Sequence, residues 1–114
     1  MFSKLKLPKN TNKMGETPIM NEKNVFPEIL NKHMTPKGKW AQIVVINGNL
    51  KYIHDDEPEK ILVADKNHSI VIEPERYHHV ILDGNVEFKV EFYKVPENLE
   101  NFDDKASRPG ENFL

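Results

Sequence analysis

Hydrophobic and polar positions alternate with period two through the middle of the chain. The pattern is clearest from Val86 to Val95, where Val86, Phe88, Val90 and Phe92 face one way. Glu87, Lys89, Glu91 and Tyr93 face the other. Trp40 to Ile46 is rich in β-branched residues and predicts a second strong strand. Shorter strands are predicted over 30–34, 50–53, 60–63, 69–72 and 78–82. Turn signals separate them: Pro36-Lys37-Gly38, Asp65-Lys66-Asn67 and Glu73-Pro74. Asn47-Gly48-Asn49 and Asp83-Gly84-Asn85 predict tight hairpins, because Asn-Gly and Asp-Gly supply the positive φ such turns need. Residues 50–53 are therefore expected to return alongside residues 40–46. About seven short strands with no long amphipathic helix predict an all-β sandwich or barrel.

Composition divides the chain of 114 residues into three zones. Residues 1–24 are Lys-, Asn-, Pro- and Thr-rich with little periodicity, and are expected as an N-terminal arm, mostly loop, on the surface. Residues 25–95 hold nearly all the β-branched and aromatic side chains and form the single expected domain. Residues 96–114 are expected as an acidic C-terminal tail. The arm carries net +3, the middle −2 and the tail −3. No segment forms a dense basic stripe and only two of the sixteen cations are Arg, which argues against a nucleic-acid partner. The longest apolar run is Ile43–Ile46, far short of the ~20 residues a spanning helix needs, so no membrane partner is expected. With no cysteine and no apolar leader, thiolate metal sites and disulfides are excluded, and a cytoplasmic location is expected.

Candidate chemistry rests on histidine. The serines, Ser3, Ser69 and Ser107, stand in no nucleophile motif, and the five scattered glycines make no phosphate-cradling loop. His54 and His68 fall in polar loop or turn regions and are expected at the surface. His78 and His79 are adjacent on one strand and must point to opposite faces; His78 shares its side with Val80 and Leu82. Glu91 sits mid-strand among aromatics. It is either a solvent-facing partner of a lysine or a carboxylate pointing inward. In the second case, imidazoles and a carboxylate meeting at one point suit Zn²⁺, Fe²⁺, Mn²⁺ or Ni²⁺.

A wider pattern is more specific. Thr17-Pro18, His33-x-Thr35, Gly38-x-Trp40, Gly48-x-Leu50-Lys51-Tyr52, Pro74 with Tyr77-His78, and Phe88-Lys89-Val90-Glu91-Phe92-Tyr93 span residues 17–95. Together they resemble the small cupin-like family of the TehB cupin domain and its stand-alone YeaR-like relatives. Residues 72–80 also resemble the second cupin motif. The resemblance implies a single-domain, double-stranded β-helix (jelly roll) and a homodimer. It implies a divalent metal held by His33, His78 and Glu91, the positions matching the family's polar residues. Trp40, Lys51, Tyr52, Glu75 and Tyr93 are further pocket candidates. The His-x-His and following Glu of the first cupin motif are missing, and Met20 stands where relatives often carry Trp.

Three functions compete. The first is a metal-binding protein linked by resemblance to tellurite (oxyanion) or nitrosative stress, with a small molecule or oxyanion as ligand and no reaction specified. The second is a metal-free binding or sensing module for a sugar or organic acid, using Trp40, Tyr52 and Tyr93. The third is a structural partner protein whose arm and tail of opposite charge are exchanged between subunits. The methyltransferase domain that accompanies this domain in two-domain TehB proteins has no counterpart in this sequence.

Overall fold

The computed structural model describes residues 1–95. The expected acidic tail, 96–114, lies outside the described residues. Eight strands and one short helix follow in the order β1 (Asn12–Glu16), β2 (Met20–Asn21), α1 (Pro27–Leu30), β3 (Lys39–Asn47), β4 (Asn49–His54), β5 (Ile61–Asp65), β6 (Ile70–Ile72), β7 (His78–Ile81) and β8 (Glu87–Lys94). One sheet runs β1-β8-β3-β6, with β2 also pairing to β8; the other runs β5-β4-β7. All pairings are antiparallel. Two antiparallel sheets with strands passing repeatedly between them make an all-β sandwich, as the periodicity predicts, of the jelly-roll kind that the resemblance implies.

The strands follow from their alternation. Along β3, Ala41, Ile43 and Val45 are buried while Lys39 and Asn47 are exposed. Along β8, Phe88 and Val90 point inward and pair in register with Val45 and Ile43. The second sheet contributes Leu50, Tyr52, Leu62, Ala64 and Val80. The core is therefore the layer between the two inner faces.

Three expectations are corrected. The two Asn-Gly and Asp-Gly turns are not hairpins. Strand β3 lies in the first sheet and β4 in the second, where β4 pairs with β5 and β7; likewise β7 and β8 are in different sheets. Gly48 has φ +80 as a tight turn requires, but the turn carries the chain from one sheet to the other. The two corners pack on each other: a Cβ on Gly48 would stand 2.3 Å from the Asn85 carbonyl oxygen and 3.1 Å from Val86 Cα. Second, residues 30–34 are not a strand. Pro27 opens a helical turn with its fixed φ. Asn31 closes it, its side-chain amide donating to the Pro27 carbonyl at 2.8 Å and its backbone N–H to Glu28 at 3.2 Å. Third, part of the expected arm is sheet: β1 and β2 both pair with β8, with a bulge at Met14. Every side chain of β1 is exposed, so the strand carries no apolar pattern to announce it. Met1 in turn lies along β5, accepting from Val63 N–H at 2.8 Å and donating to Ile61 at 3.3 Å.

The packed corners generate a prediction. Gly48→Ala forces a left-handed Ala into a carbonyl and is expected to lower unfolding free energy by about 2 kcal/mol or more. Gly15→Ala, with open space around the added Cβ, is expected to stay within about 0.5 kcal/mol. Urea titrations of the two variants check both; equal midpoints would contradict the packing of the corners.

Candidate functional site

The site begins with one piece of backbone. His33 and His78 exchange reciprocal hydrogen bonds, His33 N–H to His78 O at 3.0 Å and His78 N–H to His33 O at 2.9 Å. Such a pair sets two side chains side by side on the same face. Their rings meet edge to face with centroids 4.3 Å apart and Nε2 atoms 3.1 Å apart.

Both tautomers are dictated by the neighbours. His33 Nδ1 lies 2.7 Å from the Asn31 carbonyl oxygen, and His78 Nδ1 lies 2.9 Å from the Arg76 carbonyl oxygen. A carbonyl can only accept, so each Nδ1 carries the proton and each Nε2 presents a lone pair. Burial pushes His78 down to about 3, and the adjacent His33 adds to the effect. Burial also pushes His33 below its ordinary value, against the Asn31 carbonyl and the charges of Asp55 and Glu28. Two neutral imidazoles so held bring two lone pairs together, an arrangement relieved by a bound cation or a hydrogen-bond donor.

The supports of this pair are themselves anchored. Arg76 donates to Asp56, Glu57 and Glu73 at 2.7–3.2 Å, and that cluster fixes the turn whose carbonyl orients His78. Asn31 caps α1 and orients His33. Beneath His78 lies the Tyr52 ring, stacked at 5.0 Å, and His54 meets Tyr52 edge-on at 5.1 Å. Tyr52 is 1% exposed, and burial raises its hydroxyl well above the usual phenol range. Among the described residues its hydroxyl and His54 Nε2 are buried without a hydrogen-bond partner, Glu73 standing 3.7 Å from the latter. His54 is thus buried rather than at the surface, whereas His68 is exposed against Asp65.

His33 and His78 open into a cavity of about 580 Å³, within the range of small-molecule sites. One wall is the inner face of the first sheet, with Ala41, Ile43, Ile72, Val90 and Phe92. Val80 of β7 stands beside His78, and Phe26 and Ile29 flank the cavity from the α1 segment. Polar groups are few. Thr17 donates to Pro18 O at 2.8 Å and accepts from Val90 N–H at 3.0 Å, so its hydroxyl is engaged. Thr35 reaches the Glu73 carbonyl at 3.5 Å. Among the described residues Glu28, exposed, is the one lining residue with a formal charge.

Of the three expected metal ligands, the fold gathers His33 and His78 and leaves Glu91 apart. Glu91 stands on the outer face of β8, opposite to Val90 and Phe92, accepting from Tyr93 at 2.8 Å and Lys13 at 3.3 Å. Burial there favours the protonated carboxyl, but the Tyr93 and Lys13 bonds outweigh it and hold Glu91 below its ordinary value. It follows the solvent-side alternative that strand alternation allowed. Among the described residues, no three His, Asp or Glu are placed to hold one ion. Nor do the other pocket candidates line this cavity. Trp40 and Tyr93 are paired on the outer face beside Glu91. Lys51 is bridged to Asp83 at 3.0 Å, and Glu75 is an exposed turn residue at φ +63 whose N–H bonds Thr35 O. Tyr52 lies behind His78 rather than in the cavity. The residues overlooked were the inward apolar positions of β3 and β8, which the alternation did mark, and Phe26, Glu28 and Ile29, which carried no periodic signal.

Comparison with known proteins gives a consistent picture. A family model described as the TehB-like domain matches residues 15–90. No curated protein matches the chain. A crystal structure of a protein from Escherichia coli strain K12 superposes with TM-score 0.72 at 24% identity, covering 82% of this chain and 99% of that one. TehB from Haemophilus influenzae superposes with TM-score 0.70 at 19% identity, over 90% of this chain but 38% of that one. These two likenesses are likenesses of fold.

The buried pair makes stability depend on pH. Below about pH 6.5 the unfolded chain takes up a proton at residue 78 that the folded protein refuses until about pH 3. Stability is therefore complete above pH 6.5 and falls as pH drops, by up to ~1.4 kcal/mol per unit for this group. In metal-free protein the urea midpoint is expected to be lower at pH 5.5 than at pH 7.5. His78→Gln should flatten that difference; an unchanged slope in this variant would contradict the buried neutral state.

Proposed function

The chain belongs to the TehB-like domain family, and on that premise we propose that it is a small-molecule binding module whose cavity holds a divalent metal on His33 and His78. The observation that carries this reading is the pair of Nε2 lone pairs 3.1 Å apart at the polar end of an apolar chamber. Two imidazole nitrogens bound to one cation at ~2.0–2.1 Å stand about 2.9–3.4 Å apart, so the donors fit as adjacent ligands. Their Nδ1–H groups are already engaged by backbone carbonyls, the outer arrangement that orients a histidine toward a metal. Zn²⁺, Fe²⁺, Mn²⁺ and Ni²⁺ are the ions this reading admits. A bound ion would leave positions open toward the cavity and polarise a ligand oxygen there. The link to tellurite or nitrosative stress rests on family resemblance and attaches to no particular residue of the cavity. The metal-free reading keeps the same cavity, with both imidazoles neutral and an Nε2 lone pair accepting a hydrogen bond from the ligand.

Elemental analysis of protein loaded with Zn²⁺ or Co²⁺ and passed through a desalting column tests the proposal. Near-stoichiometric metal is expected, with His33→Ala and His78→Ala each lowering affinity at least tenfold and Glu91→Ala leaving it unchanged. The visible absorption of bound Co²⁺ gives an independent readout. Metal retention indifferent to both histidine substitutions, or no retention at all, would overturn it in favour of the metal-free module.

A further inference from the structure

The chemistry of the cavity wall constrains what enters it, beyond whether a metal is present. A volume of about 580 Å³ has room for roughly twenty water-sized pieces at ~30 Å³ each. An inorganic oxyanion of four or five heavy atoms would leave most of that space against hydrocarbon. The wall offers such an anion little in return. Among the described residues it contains no Lys or Arg, and its one formal charge is the carboxylate of Glu28. Of the cations near the pair in sequence, Arg76 is committed to three carboxylates and Lys32 lies over the Tyr77 ring at 4.9 Å. The Thr17 hydroxyl is engaged within the wall. Polar demand is thus concentrated at one end, where the two Nε2 atoms face each other, and the rest is aliphatic and aromatic.

We propose that the occupant of this cavity is an uncharged organic molecule with an apolar body and a single oxygen or nitrogen head group, and not an inorganic oxyanion. Its body lies against Ala41, Ile43, Val90 and Phe92; its head reaches the His33–His78 pair. The assignment rests on the histidine pair being the polar end of the site. It does not depend on a metal: the head group donates a hydrogen bond to Nε2 in the metal-free protein and ligates the ion in the loaded one. In the metal-free protein desolvation favours the same choice, since an anion entering past Glu28 gives up its hydration with no cation among the lining residues to replace it.

The 4-n-alkylphenols from phenol to 4-butylphenol, titrated by calorimetry into metal-free and Zn²⁺-loaded protein, test this directly. Affinity is expected to rise about fourfold per CH₂ until the chamber is full. In the metal-free protein, sodium tellurite and sodium phosphate are expected neither to bind in the cavity nor to displace the phenols. Ala41→Leu, which fills part of the chamber, should cut the series short. Should that variant not fold, Phe92→Ala enlarges the chamber and should extend the series to longer chains. Affinity indifferent to chain length, or tellurite displacing the phenols competitively from the metal-free protein, would overturn the proposal. The two readings separate cleanly. A chain-length series that persists in protein unable to hold Zn²⁺ removes the metal and keeps the ligand class. Protein that holds Zn²⁺ on the two histidines yet shows no chain-length dependence removes the ligand class alone.

Discussion

The reciprocal backbone pair between His33 and His78 is the constraint on which the site depends. Two hydrogen bonds join residues 45 positions apart and leave no freedom in which way their side chains point. Everything near them serves that juxtaposition. The helical turn of α1 delivers the Asn31 carbonyl to one ring, and the Arg76 cluster delivers its carbonyl to the other. Two carbonyls that can only accept leave two Nε2 lone pairs directed at one place. The site is therefore an electrostatic conflict held in position by backbone geometry, and a cation or a ligand's hydrogen-bond donor resolves it.

Burial sharpens the conflict. His78 is 1% exposed and stacked on Tyr52, so protonation is resisted down to about pH 3. The ion pairs of Arg76 lie at the protein's surface and contribute little stability of their own, since two of their carboxylates are well exposed. Their effect is positional, holding the turn before β7 to the loop after β4. The sheets face each other across an apolar layer, and where that layer opens toward α1 the cavity appears. The same inward alternation that builds the core also lines the chamber, which is why the ligand site is hydrocarbon with one polar end.

Glu91 shows how a family pattern and a strand pattern can point in different directions. The resemblance placed it with His33 and His78, whereas the alternation of β8 allowed it on the solvent side. The structure follows the alternation, because turning Glu91 inward would move Val90 and Phe92 out of the core. The charged and hydroxyl groups around it, Lys13, Glu16, Lys89 and Tyr93, then form an outer-face network with no connection to the cavity. Trp40 belongs to that outer face for the same reason: it neighbours Ala41, and only one of two adjacent strand residues can face the core.

Period-two patterning along 40–46 and 86–95, the β-branched runs and the absence of a long helical pattern were enough to determine an all-β fold of two packed faces. They also put His78 on the same face as Val80, since alternation is a local property of the chain. Sheet membership was not local. The Asn-Gly turn supplied its positive φ, but only packing against Asn85 and Val86 turned it from a hairpin into a crossover between sheets. Strands β1 and β2 and the turn of α1 were hidden because their side chains are mostly exposed or too few to show a period. The meeting of His33 with His78, and the exclusion of Glu91, were decided by tertiary structure alone, because two residues far apart in sequence share a face only once strand pairing has chosen their register.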